Sequence, residues 1–365
     1  MLRRVPVSRR QVAAEPRRLV ASALAVGTAL MLILLLDGLW TGITRSVTAY
    51  EDQAGADLYV AENGTRNFFG AVSQIPADTA DDIRTIDGVH WAAPIRTFLA
   101  ILTLHDRKVP VSVIGWDPQG PGGPWTINEG RAPRADDEVA IGEAMANRHG
   151  IRVGTRLAVM GHEFTVVGTS TDTFMLSFLF MTRASSDAVL QAPGTTSFVL
   201  VSTNNPDAVR SFAAVRGLTV LDRDQLAAND VKVMTRAYSV PMTVMRLVAF
   251  AIGVLVVTLT VYATIVDRRR EYGIVKAMGG NGWMLWRIAF GHTVLIAVAG
   301  FLASVPLFLV ARTVIAAVRP QFWIILTTES IVRSMIVAAV MATVASMLPA
   351  RRLAVLEPAV AYGGG

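Results

Sequence analysis

Four long apolar runs constrain this chain more than any other feature of its sequence. They cover residues 19–39, 242–266, 288–310 and 331–348. Each is close to the length of about 20 residues that crosses a bilayer as a helix. A hydrophobic content of 52% agrees with a membrane protein. Between the first and second runs lies the polar segment 45–241, which is long enough to form a domain with its own core.

The basic residues predict how the chain is oriented in the membrane. Residues 45–241 contain 17 Lys and Arg against 22 Asp and Glu, whereas the rest of the chain contains 17 against 6. Of the latter 17 basic residues, 13 precede the first run, separate the second from the third, or follow the fourth. Since basic residues concentrate on the cytoplasmic side, both termini are expected inside and the polar segment outside. The basic excess therefore belongs to the membrane part and predicts no nucleic-acid surface.

We divide the chain into nine parts. They are a cytoplasmic N-terminus 1–18, span one 19–44, an extracytoplasmic domain 45–241, span two 242–267, a cytoplasmic helix and loop 268–287, span three 288–310, an external loop 311–330, span four 331–348 and a cytoplasmic tail 349–365. The first run could also be a signal peptide. Its length, and the lack of a small-x-small cleavage site close behind it, favour a retained anchor.

The outer segment alternates strand and helix patterns, which predicts an α/β or α+β domain. We expect a strand over 56–61, a helix near 77–86, a helix beginning at Gly142 and ended by Gly150, and a strand over 178–181 before a helix starting near Ser185. The run "FMLSFLFM" (174–181) does not alternate. Phe174 and Met175 are therefore candidates for contact with lipid or an external partner, although a core role is the alternative.

The sequence lacks the short motifs of catalytic and nucleotide-binding chains. No phosphate-binding loop, nucleophile elbow or His-Glu-x-x-His pair occurs, the five histidines are scattered, and there is no cysteine. We therefore expect neither enzymatic activity nor a cofactor or metal in this chain. The acidic run at residues 136–138 lacks the ligand spacing of a calcium loop and favours a solvated turn. Asp37 and His292, near the ends of spans, are expected at the headgroup level rather than in a proton relay.

The segment "DRRREYGIVKAMGG" (267–280) follows the second apolar run directly. Its spacing allows ion pairs three residues apart, and Tyr272, Val275 and Met278 share one helix face with Ile274 beside it. The glycine pair that follows favours a helix stop. A short amphipathic helix at the membrane surface is thus predicted, and the alternative is a plain basic loop. Such a helix could dock onto a cytoplasmic partner. Its candidate docking residues are Arg268, Arg269, Arg270, Glu271, Tyr272, Ile274, Val275, Lys276, Met278 and Gly279.

The fourth run carries a stripe of small residues. Ser334, Ala338, Ala342 and Ser346 recur every four positions. Small residues on one face allow membrane helices to approach closely, so the stripe predicts a helix–helix contact.

Several segments resemble those of the FtsX/MacB/LolC-type permeases of ABC transporters. "RRREYGIVKAMGG" resembles the family's cytoplasmic segment, with Tyr272 in place of the usual isoleucine, and "LPARRLAVLEPAVA" (348–361) resembles its C-terminal tail. "VIGWDPQG", "NEGRAPRADDEVAIGEAMANRHGIRVGTRLAV" and "FTVVGTS" resemble its periplasmic domain in the same order. The stretch "QAGADLYVAENGTRNFFGAVSQIP" is most similar to DevC-type exporter permeases.

The resemblance implies a four-span α-helical bundle, arranged as one plus three, with a large α/β or α+β extracytoplasmic domain of MacB-like type. It implies a bacterial cytoplasmic-membrane location, pairing of two permease chains as a homodimer, contact with membrane lipids, and a separate cytoplasmic ATPase that binds ATP and magnesium. ATP-driven closure of that ATPase would push the docking helices. The motion would reach the outer domain through the extensions of the first two spans, so that cargo need not cross the bilayer.

Two functions remain open at this point. One is the export or extraction of an amphipathic substrate. The other is an FtsX-like regulator that activates an external partner, such as a cell-wall hydrolase, without cargo. A sensor without an ATPase would need a longer cytoplasmic segment than any predicted here.

The topology can be tested by single-cysteine labelling, because the natural chain contains no cysteine. A membrane-impermeant maleimide added to intact cells should label a cysteine at position 120 but not one at position 5, because charge places the two on opposite sides. Labelling at position 5 alone would contradict the orientation.

Overall fold

A computed structural model of the chain describes residues 16–70, 72–172, 176–267, 282–318 and 322–355. The helices, in chain order, are α1 (Pro16–Val47), α2 (Ala49–Gln53), α3 (Thr79–Arg84), α4 (Glu143–His149), α5 (Arg183–Leu190), α6 (Pro206–Val215), α7 (Arg223–Asp267), α8 (Gly282–Val318) and α9 (Thr328–Val355). The strands are β1 (Leu58–Glu62), β2 (Ile75–Pro76), β3 (Val89–Leu104), β4 (Arg107–Trp116), β5 (Ile127–Gly130), β6 (Glu138–Gly142), β7 (Arg156–Val159), β8 (His162–Ser170), β9 (Ser177–Thr182), β10 (Thr195–Thr196), β11 (Phe198–Thr203) and β12 (Leu218–Asp222).

The chain forms two compact units. One, the membrane unit, comprises Met1–Thr41, Tyr238–Val318 and Ile324–Gly365; the other, the globular domain, comprises Gly42–Ala237 and Arg319–Trp323. Within the described residues, four helices are long and apolar enough to cross a membrane: α1, α7, α8 and α9. The protein is therefore a multi-pass membrane protein.

The globular domain is built on one mixed sheet. Its strand order is β12-β1-β11-β3-β4-β9-β6-β8-β5, with β7 paired to β8, and β10 and β2 form a separate ribbon. The pairs β4–β9 and β6–β8 are parallel, and the other pairs are antiparallel. The long strand β3 pairs with β11 in its first half and with β4 in its second. It therefore joins the two halves of the sheet.

Alternating side chains of the sheet supply separate cores on its two faces. Leu58, Val60 and Val201 pack with residues of α3 and α6, whereas Tyr59 and Leu200 contribute to an aromatic core on the other face. A third core, around Val111 and Val113, fills the half of the domain that contains β6 to β9. Because strand side chains alternate between faces, one strand can serve two cores.

The predicted outer elements occur with shifted ends. The strand expected over 56–61 covers Leu58–Glu62, and just before it the Asp57 carboxylate accepts hydrogen bonds from Ser202 and Thr203. The helix expected near 77–86 is shorter, at Thr79–Arg84. Gly150 ends α4 in the left-handed conformation at φ +65°, as glycine allows. Helix α5 begins at Arg183, where the Thr182 hydroxyl accepts from the Ser185 amide.

The membrane helices extend beyond the apolar runs from which they were predicted. Helix α8 continues to Val318, so the first part of the expected loop 311–330 is helical, because residues 311–318 contain no glycine or proline. The largest difference is in α7, which begins at Arg223 and passes through Pro241. No helix was predicted over most of residues 223–241, because the second span was assigned from its apolar run, which begins at Met242.

Two glycines bring α1 and α8 into close contact. A Cβ added to Gly300 would lie 2.6 Å from Val26 Cγ1, and one added to Gly27 would lie 3.1 Å from the Gly300 carbonyl oxygen. By contrast, a Cβ at Gly291 of the same helix would meet no atom within 4 Å. Glycine is therefore required where the two helices cross, because a side chain would not fit there, but it is not required at position 291.

Gly300→Ala should destabilise the membrane unit by about 1–3 kcal/mol through overpacking. The matched variant Gly291→Ala should be neutral or stabilising by up to about 1 kcal/mol, since alanine favours the helix. Detergent-titrated unfolding of the full chain measures the change in unfolding free energy of both variants. Equal effects of the two changes would contradict the close crossing.

Candidate coupling and transport elements

The predicted docking segment, residues 268–279, lies outside the described residues. Helix α7 ends at Asp267 and α8 begins at Gly282. Phe174 and Met175 also lie outside them. The roles of these two segments therefore stay predictions.

The small-residue stripe lies on a buried face of α9. Ser334, Ala338, Ala342 and Ser346 are all nearly inaccessible to solvent. Next to this stripe, Met341 packs against α7, where a Cβ on Gly253 would come 2.0 Å from the Met341 methyl. The stripe thus faces other helices of the same chain. Its importance for packing stays a prediction.

A charged cluster joins three helices of the membrane unit. Asp37 of α1 is 3% exposed. Its Oδ1 lies 2.9 Å from Arg246 Nη2 of α7, and its Oδ2 lies 3.6 Å from Arg333 Nη1 of α9. Arg333 has a second carboxylate partner in Glu329, at 2.6 Å. Asp37 therefore pairs with two arginines.

The sequence placed Asp37 at the headgroup level but did not identify its two arginine partners. Its depth in the membrane stays a prediction. The three residues are far apart in sequence, so no local pattern connects them. Ionisable residues within spans usually face the bundle interior and pair with one another, and that general rule was the available signal.

A second buried acidic group lies in the globular domain. Glu51 of α2 and Asp230 of α7 are 0% and 1% exposed, and each influences the pKa of the other. The Asp230 oxygens accept from the amides of Phe68, at 2.9 and 3.1 Å, and Phe69, at 3.2 Å. The Glu51 oxygens accept no hydrogen bond from any described residue.

The two carboxyl groups differ in their surroundings. Burial raises the pKa of Asp230, whereas its backbone donors stabilise the charged form. Burial raises the pKa of Glu51 well above its ordinary value, and the neighbouring Asp230 raises it further. The protonated form of Glu51 is therefore favoured. A protonated acid is one way to place two carboxyl groups together in a buried site.

Asp230 thereby holds an aromatic segment in place. The Phe68 ring stacks on Tyr50 at 4.7 Å between centroids and lies 5.2 Å from Phe198. The Tyr50 hydroxyl donates to the Gly122 carbonyl oxygen at 2.7 Å. Because Asp230 belongs to α7, the same helix that holds Phe68 and Phe69 continues as the second predicted span. Sequence reasoning missed this contact, which joins positions more than 160 residues apart.

Other acidic residues serve the fold. Glu138 of β6 is bonded to Arg131, which lowers the pKa of that carboxyl to about 2, assisted by the amides of Arg134 and Ala135. Asp136 accepts from the Thr182 hydroxyl at 2.5 Å. Among the described residues, no group of three or more His, Cys, Asp or Glu is arranged to hold a metal ion.

Comparison with known families assigns both parts of the chain. Residues 19–218, more than half of the sequence, match the MacB-like periplasmic core domain, and residues 243–358 match the FtsX-like permease C-terminal domain. The fold and these matches define an ABC transporter permease with four membrane helices and a mixed α/β domain. The chain belongs to the MacB/FtsX family of such permeases.

Relatives extend along almost the whole chain. An ABC transporter permease from Mycobacterium tuberculosis is 27% identical over 95% of this chain and 96% of its own length. One from Mycobacterium bovis is 25% identical over 97% of this chain and 98% of its own length. A Staphylococcus haemolyticus protein, named as the hemin transport system permease protein HrtB, is 20% identical over 91% of this chain and 92% of its own.

Two solved structures match part of the chain. The periplasmic region of MacB from Actinobacillus actinomycetemcomitans is 14% identical, with a TM-score of 0.37, and covers 47% of this chain and 90% of its own. The extracellular domain of the Gram-positive transporter YknZ is also 14% identical, with a TM-score of 0.36, over 46% of this chain and all of its own.

A double-mutant cycle tests the Asp37 cluster. Asp37→Asn should destabilise the full chain by about 3 kcal/mol, because it leaves Arg246 without its carboxylate. The coupling energy of Asp37→Asn with Arg246→Gln should be about 1–2 kcal/mol. With Arg333→Gln it should stay below about 1 kcal/mol, since Arg333 is half exposed and keeps Glu329. Detergent-titrated unfolding gives these values; similar coupling to both arginines would contradict the geometry.

The raised pKa of Glu51 predicts a pH dependence. The stabilising contribution of the protonated group is complete below its ordinary value of 4.5 and is lost as the pH rises through the folded pKa. Glu51→Gln is similar in shape and cannot ionise. From about pH 5 to about pH 8, the amides of Phe68 and Phe69 should therefore exchange increasingly faster in wild type than in Glu51→Gln at the same pH.

Hydrogen-exchange mass spectrometry of the full chain measures this difference. Glu163→Gln, a change at an exposed carboxylate, is the control and should match wild type at each pH. A constant ratio between wild type and Glu51→Gln across the range would show that Glu51 does not carry the proton.

Proposed function

We propose that this chain is a permease subunit that converts ATP hydrolysis by a separate ATPase into movement of its extracytoplasmic domain, for export or extraction of an amphipathic substrate. One observation carries this proposal. Helix α7 begins in the globular domain at Arg223, continues to Asp267, and is followed at once by "RRREYGIVKAMGG". A single helix therefore leads from the domain to the predicted docking segment.

The length of α7 supports this coupling. Its 45 residues correspond to about 67 Å at 1.5 Å per residue, more than the thickness of a bilayer. Pro241 removes one backbone hydrogen bond, close to the boundary between the two units at Ala237 and Tyr238. The helix would therefore bend most easily near this boundary while transmitting displacement along its axis.

The charged cluster supports a role for relative helix movement. A buried ion pair often contributes little more stability than packed apolar residues, but it strongly favours one arrangement of the helices. Asp37 joins α1 to α7 most closely and to α9 more weakly. In our proposal, α1 and α7 move together during the ATPase cycle, and α9 breaks and re-forms its contact with Asp37.

The choice of an amphipathic substrate rests on the membrane unit and on one relative. Transport from a lipid surface needs no polar route across the bilayer. The S. haemolyticus relative is named for hemin, an amphipathic molecule, and its 20% identity supports only this broad class. ATP and magnesium would bind to the partner ATPase, a second permease chain would complete the homodimer, and both termini would be cytoplasmic.

Substitution of the docking face tests the proposed function. Met278→Asp or Val275→Asp places a carboxylate in an apolar groove, which is strongly unfavourable unless the charge is paired or neutralised. The ATPase that co-purifies with the wild-type chain from its own membranes should then be lost by at least about tenfold, at equal permease levels.

Replacement of Arg268, Arg269 and Arg270 by Gln provides the matched control on the same segment. These residues would contact lipid headgroups, so their replacement should alter insertion more than ATPase binding. If Met278→Asp retained the ATPase as well as wild type does, the segment would be an interfacial loop and the proposed coupling would fail.

A further inference from the structure

The globular domain contains an apolar cleft that the coupling mechanism does not use. Its volume is about 490 Å³, within the range of about 300–1,000 Å³ typical of small-molecule sites. Its apolar lining consists of Phe68, Phe69, Val72, Phe98, Leu99 and Leu190. These side chains come from the segment after β1, from β3 and from the end of α5.

The charged residue of the lining is already neutralised. Arg96 is 3% exposed and bonds to Asp187 at 2.8 Å, to the Ala192 carbonyl oxygen at 2.8 Å, and to Thr195. Its Nε and Nη2 donors therefore bond within the protein, and its charge is paired with that of Asp187. An anionic ligand would find no free cation among the described lining residues.

Two buried hydroxyl groups of the lining, those of Ser73 and Ser197, are also engaged. Ser73 donates to the Ser197 carbonyl oxygen at 2.6 Å, and Ser197 Oγ exchanges hydrogen bonds with the backbone of Thr97 at 3.0 and 3.2 Å. A peptide in the cleft would bring backbone N–H and C=O groups that need partners. An alkyl chain needs none, so the lining fits a chain of CH₂ groups better than a peptide.

Exposed apolar residues mark the mouth of the cleft. Val72 is 93% exposed and Leu99 is 55% exposed. Exposed apolar surface next to an apolar pocket is typical of a ligand or lipid contact. Gln74, also exposed, is a polar group at the same edge where the head of an amphiphile could remain in water.

The cleft is connected to the membrane helix by hydrogen bonds. Phe68 and Phe69, which form one wall, are held through their amides by Asp230 of α7. A displacement of α7 would therefore change the wall of the cleft. This gives the helix a direct means to capture or release a bound chain.

We propose that this cleft binds the alkyl chain of a single-chain amphiphile, with the head group left at the mouth. The assignment rests on the proposed transport of an amphipathic substrate. The bilayer that this chain spans is a source of such molecules. A free fatty acid and a lysophospholipid share the alkyl chain and differ in the head, so both serve as probes.

Photo-crosslinking in the full chain tests this site. The chain is reconstituted in nanodiscs with a fatty acid or a lysophospholipid that carries a diazirine near the end of its alkyl chain. Mass spectrometry should find adducts on peptides that contain Phe68, Phe98 or Leu190. Adducts from both probes identify the alkyl chain as the recognised group; adducts from one probe alone show in addition that its head is recognised.

Two matched variants make the test specific. Leu99 and Ile101 are both exposed, at 55% and 62%, and lie on the same face of β3, but Ile101 is not part of the lining. Leu99→Asp should reduce cleft adducts at least fivefold, and Ile101→Asp should leave them unchanged. Equal thermal unfolding of the two variants and wild type shows that the fold is retained.

Three results would overturn the proposal. They are adducts confined to the membrane helices, equal adduct levels in both variants, and stronger cleft labelling by a photo-leucine peptide than by either amphiphile. Co-purification of the ATPase is measured on the same samples. Failure of cleft labelling with the ATPase retained refutes only this site, whereas loss of the ATPase with labelling retained refutes the proposed coupling.

Discussion

The backbone hydrogen bonding of α7 is the constraint on which this account depends. A segment that crosses a bilayer must satisfy its own peptide groups, which a helix does. Here the helix does not end at the limit of the apolar run but includes Asp230 and begins at Arg223. The residue that holds Phe68 and Phe69 and the residues of the second span therefore belong to one element. Pro241 interrupts one hydrogen bond of that element and leaves its continuity intact.

Each unit contains a buried polar group at a position that joins separate elements. In the membrane unit, Asp37 connects three helices; in the globular domain, Asp230 connects α7 to α2 and to the aromatic segment. Apolar residues would avoid the desolvation cost of these groups. Polar groups instead provide contacts that are specific in geometry and that can be broken and reformed. This property suits elements that move, and it explains why charge occurs at buried positions.

Much of the architecture could be predicted from local patterns. The four spans follow from the length of the apolar runs, and strands such as β4 and β11 follow from their β-branched residues. The extension of α7 was not predicted, because residues 223–241 lie outside the apolar run from which the second span was assigned. The charged cluster and the Glu51–Asp230 pair depend on contacts between positions far apart in sequence. No periodicity within one segment reveals such contacts, and the chemistry of buried charges indicates only that partners must exist.

The central claim is that the ATPase state reaches the globular domain through α7. Hydrogen exchange in the reconstituted permease–ATPase complex measures this most directly, comparing the nucleotide-free complex with one trapped by a hydrolysis-deficient ATPase and ATP. We predict that trapping changes the exchange of the Phe68 and Phe69 amides, and that Asp230→Asn abolishes the change while ATPase binding persists. Identical exchange of these amides in both nucleotide states would contradict the account.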